Sequence, residues 1–336
     1  MGDPRGIGAE ITLKALRSSR VPANVRLLVI GSLAVLRQEA ETLGESIDLA
    51  PVDEADWGTD RAAVLDLDNF PARMVQPRRP DAASGRASLQ YIEKAVAMAL
   101  DGKVDAVVTC PISKEAIAAA GSPFPGHTEM LADLTGAERA VMLLVSADLR
   151  VALVTTHVAL RDVPKALTAE EIARTVVALA EGLRRFFGIA SPRIAVCGLN
   201  PHCGEGGLFG DEEAKIVAPA VDEARKQDVI VSGPKPADTV FVQAARGEYD
   251  AVVALYHDQG MIPVKLSGLA HVVNVTLGLP IIRTGVGHGT AYDIAGRGEA
   301  DEGSLVEAIR LAASMTRLVH QPGKIGIWDI LDAPRG

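Results

Sequence analysis

At 336 residues the chain is long enough for about two domains of ordinary size, and 48% hydrophobic against 23% charged residues is the balance of a globular protein. Its net charge of −9, with no basic face or arginine-rich run, argues against nucleic acid as a partner. No segment approaches the ~18–20 uninterrupted apolar residues of a membrane span and no signal peptide opens the chain, and Cys110, Cys197 and Cys203, in no zinc-knuckle spacing, read as free thiols of a cytoplasmic protein.

The first stretch, "MGDPRGIGAE", is a glycine loop followed at once by helix signals at Ile11, Leu13 and Leu16. A glycine turn normally connects two elements and only the second is present, so a start truncated or misassigned before Met1 is expected. "RLLVIGS" (26–32) reads as a strand, 70–86 as a linker rich in Pro, Arg and small residues, and 87–100 as a helix. Further strands are expected at 105–110, 140–145, 150–156, 193–199, 250–256 and 271–277, with helices over 169–187, 212–226 and 303–318. The helix 169–187 is the clearest, opened by a capping box at Thr168 and Glu171 and closed at Gly188. The runs flanking "SADL" look like an antiparallel hairpin; elsewhere the alternation reads as α/β with a largely parallel sheet.

Three of the seven histidines follow predicted strands: His157 after "VALVTT", His202 after "IAVCGLNP" and His257 after "AVVALY". Ligands of open α/β sheets bind beyond the carboxyl ends of strands, and three imidazoles with an open position make a catalytic metal site. The alternative is that each is a lone polar loop residue; spacings of 45 and 55 residues form no local motif. Asp238 and Asp258 are candidates for an oxygen ligand or for orienting an imidazole. Cys203, beside His202, is read as incidental.

"FPGHTEMLADL" (124–134) sets His127 and Thr128 at a helix start, which favours a phosphate or carboxylate, although Thr128 as a simple N-cap explains it equally well. Lys265 in "GMIPVKL" and Arg283 in "LPIIRTG" are further cations for an anion. The glycine-dense 284–301 follows a strand and enters a helix near Ala291. It is neither the dinucleotide fingerprint nor a P-loop, and by composition is a phosphate-tolerant turn or a tight strand–helix corner.

The segments "MGDPRGIGAE", "GHTEMLAD", "TTHVALRDVP", "GLNPHCGEGGLFGDEE", "PADTVF", "YHDQGMIPVK" and "NVTLGLPIIRTGVGHGTAYDIAG", in this order, strongly resemble the 4-hydroxythreonine-4-phosphate dehydrogenase family. Its paralogues include the dehydrogenases of 4-phospho-D-threonate and 4-phospho-D-erythronate. "HGTAYDIAG" is also similar to the adenosine-binding loop of isopropylmalate and isocitrate dehydrogenases. The resemblance implies a two-domain α/β fold of that type, with mixed, largely parallel sheets and a cleft between domains. A discontinuous NAD-binding domain (1–118 plus 271–336) would enclose a central metal, substrate and dimerisation domain (119–270). It implies that His157, His202 and His257 hold one divalent metal per subunit (Zn, Mg, Mn or Co) in an active site shared across a homodimer. His127, Thr128, Lys265, Asn274 and Arg283 would bind substrate, and His288, Gly289, Thr290, Ala291 and Asp293 would hold NAD. Asp238 would be a nearby acid or orienting group.

The implied chemistry is metal-assisted oxidation of the C3 hydroxyl of a four-carbon 4-phospho-3-hydroxy acid, followed by loss of CO₂. The proton acceptor stays open between Lys265, Asp238 and a metal-bound water. The substrate would be 4-phospho-hydroxy-L-threonine, in pyridoxine biosynthesis, or 4-phospho-D-threonate or D-erythronate, in carbohydrate acid catabolism. Two departures stand out. The short strand before the family's glycine loop is missing, and Gly287-His288-Gly289 replaces the usual Asp-His-Gly. The second change occurs in a cis-dihydrodiol dehydrogenase whose substrate carries a carboxylate and no phosphate, which is the alternative function; a metal-dependent hydrolase is another. His127, Thr128 and Arg283 favour the phosphorylated substrate.

Overall fold

The structure is a computed structural model that describes residues 1–46, 49–54, 61–266, 268 and 271–320. The chain divides into two compact units. The first comprises Met1–Glu138 with Leu279–Ala313; the second comprises Arg139–Gly278 with residues 314–320. The expected discontinuous domain runs on to 336, and 321–336 lie outside the described residues.

Met1–Glu138 carries α1 (Gly8–Arg17), β1 (Leu27–Gly31), α2 (Leu33–Thr42), β2 (Ala62–Asp66), α3 (Ala82–Leu100), β3 (Ala106–Thr109), α4 (Lys114–Ala119) and α5 (His127–Thr135). Arg139–Gly278 carries β4 (Val141–Val145), β5 (Arg150–Leu153), α6 (Val163–Ala166), α7 (Ala169–Phe187), β6 (Arg193–Cys197), α8 (Ala218–Arg225), β7 (Ile230–Lys235), α9 (Ala237–Ala245), β8 (Ala251–Ala254), α10 (His257–Leu266) and β9 (Val273–Leu277). β10 (Ile282–Val286) and α11 (Gly303–His320) follow.

In the first unit β1 pairs with β2 and β3 with β10, both in parallel. One apolar cluster gathers Leu13, Val29, Leu36, Phe70, Tyr91 and Met98; another gathers Ile7, Ile11, Cys110, Leu305 and Val306. In the second unit the strand order is β9-β4-β5-β8-β6-β7. The β4–β5 pair is the expected hairpin, antiparallel through Leu143↔Ala152. β9 runs antiparallel to β4, and β5, β8, β6 and β7 are mutually parallel. The sheet is thus mixed and largely parallel. β8 is buried at every residue because both neighbours and both faces are covered, which is why it reads as one apolar run.

α7 forms where the sequence places it. Thr168 Oγ1 accepts from Glu171 N, apolar residues recur from Ile172 to Phe187 on one face, and Gly188 closes the helix in the left-handed conformation (φ 68°). That face, with Ile172, Val176, Leu179 and Leu183 all at 0% exposure, removes about 1.5–3 kcal/mol worth of side chain from water at each position.

Three expectations need correction. The linker at 70–86 is structured at both ends: a 3₁₀ turn spans Ala72–Met74, and α3 begins at Ala82, capped by Asp81. The helix 212–226 is a π turn over Glu213–Val217 followed by α8. No helix begins near Ala291. Residues 292–298 form successive turns, with Ala291 itself at φ 43° and Ile294 N and Arg297 N bonded three residues back. Gly287, Gly289, Gly296 and Gly298 make that stretch a poor helix.

Candidate functional site

In the first unit, β3 and β10 bring Arg283 beside Thr109: Arg283 Nη2 donates to Thr109 Oγ1 at 2.5 Å. The guanidinium is 2% exposed, and burial pushes its pKa down to about 10. His127 is the first residue of α5. Burial, and then the nearby Arg283 charge, hold its imidazole well below the ordinary histidine range, so it is neutral at pH 7. Its Nε2 is buried with no hydrogen-bond partner among the described residues. Thr128 is not the N-cap; Gly126 is, and no side chain caps α5, so the first turn keeps its N–H groups for another acceptor. A buried cation, a neutral imidazole and an uncapped helix start suit an anion. Lys114 sits near Gly126, its Cε 3.8 Å from where a Gly126 Cβ would lie, and burial lowers its pKa. Sequence reasoning missed it, although "PISK" directly after β3 signals a strand-end cation.

The depressed pKa of His127 has a measurable sign. The unfolded chain takes up this proton near pH 6.5 and the folded chain does not, so stability falls as pH drops below 6.5. Between pH 6.5 and 5.5 the His127 contribution is about 1 kcal/mol. Urea unfolding at the two pH values should show that loss in the parent and not in His127→Gln; equal slopes would place the titration elsewhere.

Residues 287–301 of the same unit are laid against the N-terminal segment. Gly287 N donates to Ser304 Oγ, Ile7 N to Thr290 O (3.0 Å), and the Tyr292 hydroxyl to Asp3 Oδ2 (2.7 Å). Lys14 Nζ donates to Gly298 O and Ala300 O, and Glu10 Oε1 accepts from Ala300 N. Gly6 lets the chains approach: a Cβ there would lie 2.9 Å from Thr290 O. The glycine loop "GDPRGIG" is therefore the seat of residues 287–301, and Asp3, buried and pushed up by desolvation, is a support that the sequence reading did not single out. His288 Nδ1 lies 3.0 Å from Gly289 O, which makes Nδ1 the protonated nitrogen. Its Nε2 is buried with no hydrogen-bond partner among the described residues. Gly289 and Asp293 are exposed; Thr290 and Ala291 are half-buried.

In the second unit, His157 follows β5 and His257 opens α10; their rings are 5.9 Å apart between centroids, tilted by 42°. Two imidazoles at that separation fit one ion bound at ~2.1 Å. His257 Nδ1 bonds Asp258 Oδ1 at 2.6 Å, the kind of partner that orients a metal-binding histidine and leaves Nε2 for the ion. His202 lies exposed on the turn after β6 (φ 52°). Among the described residues no group of three or more His, Cys, Asp or Glu gathers as a metal site, so one copy brings together two of the three expected ligands. Exposed apolar side chains flank all three: Val158 and Leu160, Leu208 and Phe209, Ile262 and Leu266. Lys265 is half-buried near the end of α10. Asn274 sits on β9 with its Oδ1 buried and without a hydrogen-bond partner among the described residues. Asp238, exposed in the first turn of α9, is close enough to help raise the Cys203 pKa, after burial and Glu213.

A sequence model of the family described as "Pyridoxal phosphate biosynthetic protein PdxA" matches residues 23–312. The chain belongs to the PdxA family. It is 50% identical over 316 residues to the 4-hydroxythreonine-4-phosphate dehydrogenase of Desulfosudis oleivorans (93% of each chain). It is 47% identical over 320 residues to the D-threonate 4-phosphate dehydrogenase of Cupriavidus necator (94% of this chain, 95% of the other). The crystal structure of 4-hydroxythreonine-4-phosphate dehydrogenase from Klebsiella pneumoniae superposes with a TM-score of 0.84 at 41% identity, covering 94% of this chain and 96% of that one. The protein is thus a dehydrogenase of the PdxA type. Among the described residues no helix is long and apolar enough to cross a membrane.

Proposed function

We propose that this PdxA-family protein oxidises, with NAD, the C3 hydroxyl of a four-carbon 4-phospho-3-hydroxy acid and releases CO₂ from the β-keto acid formed. The reading rests chiefly on buried polar atoms that lack partners at positions assigned to ligands: His127 Nε2, Asn274 Oδ1 and His288 Nε2. A buried polar group without a hydrogen bond costs about 1–3 kcal/mol, and a ligand that supplies the bond relieves it. Arg283 adds a buried positive charge close to His127, and a positive charge there attracts an anionic group.

When bound, a divalent ion would supply charge stabilisation at the substrate's C3 oxygen, and NAD would accept the hydride. His157 and His257 are the ligands one copy offers, and His202 is offered by its own turn; the apolar residues beside all three favour a homodimer in which a second copy completes the set. Arg283, His127 and the uncapped start of α5 take an anionic end of the substrate, and Asn274 takes a hydroxyl or amino group. The buried Nε2 of His288 suits a polar group of the dinucleotide held along 288–293. Lys265 or Asp238 takes the C3 hydroxyl proton.

The test supplies metal, NAD and, separately, 4-phospho-hydroxy-L-threonine, 4-phospho-D-threonate and 4-phospho-D-erythronate, and reads NADH. Turnover of the first assigns the C2 amino substrate; turnover of the others assigns the hydroxy acids. No NADH from any of the three, with turnover of a cis-dihydrodiol carboxylate, replaces the proposal with the unphosphorylated reading that Gly287 suggests.

A further inference from the structure

The three histidine-bearing segments are tied together by the buried side chains of Thr155, Gln259 and Glu213. Thr155, two residues before His157, contacts the end of β8: its N and Oγ1 both donate to Leu255 O, at 3.2 and 2.8 Å. Leu255, two residues before His257, in turn donates its N–H to Gln259 Oε1 at 2.7 Å. Gln259 Nε2 donates to Gly198 O at 2.8 Å, at the start of the segment that leads to His202. The next two N–H groups of that segment, Leu199 and Asn200, donate to Glu213 Oε1 at 2.8 and 2.6 Å, and Asn200 Nδ2 reaches Glu213 Oε2 at 3.1 Å. Thr155, Gln259 and Glu213 are all under 9% exposed.

Gln259 is the link that the others cannot replace. A carboxamide accepts with one atom and donates with the other, and both are used here, one toward each strand end. A carboxylate would accept from Leu255 N but face Gly198 O with a second acceptor. A methionine of similar length would satisfy neither. The segment it holds also needs holding, because residues 202–206 run through five consecutive left-handed conformations, three of them at His202, Cys203 and Glu205. L-residues adopt that region only when their surroundings impose it.

We propose that Gln259 is a positioning residue for the histidine site: its buried carboxamide sets the strand end carrying His257 in register with the turn carrying His202. The inference rests on the metal reading given above. It does not require that both rings serve the same ion, since in a shared site the register fixes what each copy presents to the other.

The test uses the full-length metal-free protein, titrated with Co²⁺ and with Zn²⁺, reading the dissociation constant and the visible Co²⁺ absorption. His202→Ala and His257→Ala establish whether these imidazoles bind metal. If neither weakens binding, the metal reading fails and this inference with it. If they weaken it, Gln259→Met should raise the dissociation constant about 10–100-fold, the usual range for groups that orient metal ligands, and alter the Co²⁺ spectrum. A folded Gln259→Met with the parent's constant and spectrum overturns the proposal while leaving the metal reading intact. Should that variant not fold, Gln259→Glu, which keeps the size and the acceptor toward Leu255, is judged by the same two readouts. Loss of folding in both overturns the proposal and makes Gln259 a residue of the fold.

Discussion

Replacing Arg283 with methionine should lower kcat/KM about 10³-fold and at the same time raise the melting temperature of the ligand-free protein. The guanidinium lies at 2% exposure with a pKa pushed down to about 10 by burial, which corresponds to on the order of 3 kcal/mol against the charged form. An apolar residue that fills the same space removes that desolvation cost. Part of that gain is offset, because Thr109 Oγ1 and any other group that Arg283 touches lose a partner, at about 1 kcal/mol each. The net expectation is a rise of a few degrees. Removing one partner of a buried charged contact costs about 2–5 kcal/mol in binding, so anion affinity falls in the same variant that gains stability. The charge persists at any working pH, since the destabilisation fades only above about pH 10, so the gain should be flat between pH 6 and 9. Thermal unfolding with and without inorganic phosphate checks both halves. A lower melting temperature in Arg283→Met would make Arg283 a structural cation and weaken the anion site.

Lys265→Met should lower kcat by about 10²–10⁴-fold, the contribution of a positioned general base, and Asp238→Asn by less than about tenfold. Lys265 lies eight residues after His257 on α10, about 12 Å along the axis. Helical side chains lean toward the N-terminus, so the lysine stem leads back toward the His257 end. Asp238 is exposed at the start of α9, where water solvates it and no side-chain hydrogen bond among the described residues fixes its direction. Steady-state kinetics at saturating NAD separate the roles. A fall in kcat with KM changed little assigns Lys265 the proton; a rise in KM alone makes it a substrate clamp. The reverse ranking of the two variants assigns the proton to Asp238.

Much of the fold was legible because buried parallel strands are written as short apolar runs: 105–110, 193–199 and 250–256 became β3, β6 and β8 with the ends trimmed. β7 was missed because "IVSGPK" contains Gly233 and Pro234, which read as a turn; among the described residues it pairs with β6 alone, and an edge strand tolerates proline. β2 is five residues beginning with two alanines, too weak a pattern to stand out. In the candidate site, the strand-end placement of His157 and His257 was readable, but their 5.9 Å approach across a hundred residues of chain is a product of the parallel β5–β8 pairing. Asn274 came only with the family resemblance, since one polar residue in a buried strand has no pattern of its own. The seating of residues 287–301 on "GDPRGIG" was hidden for the same reason: it joins two glycine-rich segments from opposite ends of the sequence.

The left-handed run at 202–206 also limits how this protein can be re-engineered. Each L-residue there carries on the order of 1–2 kcal/mol of conformational cost, so isoleucine, valine or threonine at Cys203 or Glu205 would add crowding to a turn already disfavoured. Glycine or asparagine at those two positions is the direction in which a randomised library drifts when selected for thermal endurance alone. Glycine clones, free to leave the left-handed region as well as to enter it, would hold the turn less firmly, and a catalyst improved for the fermenter by that route would surrender the rigidity that aims its imidazole.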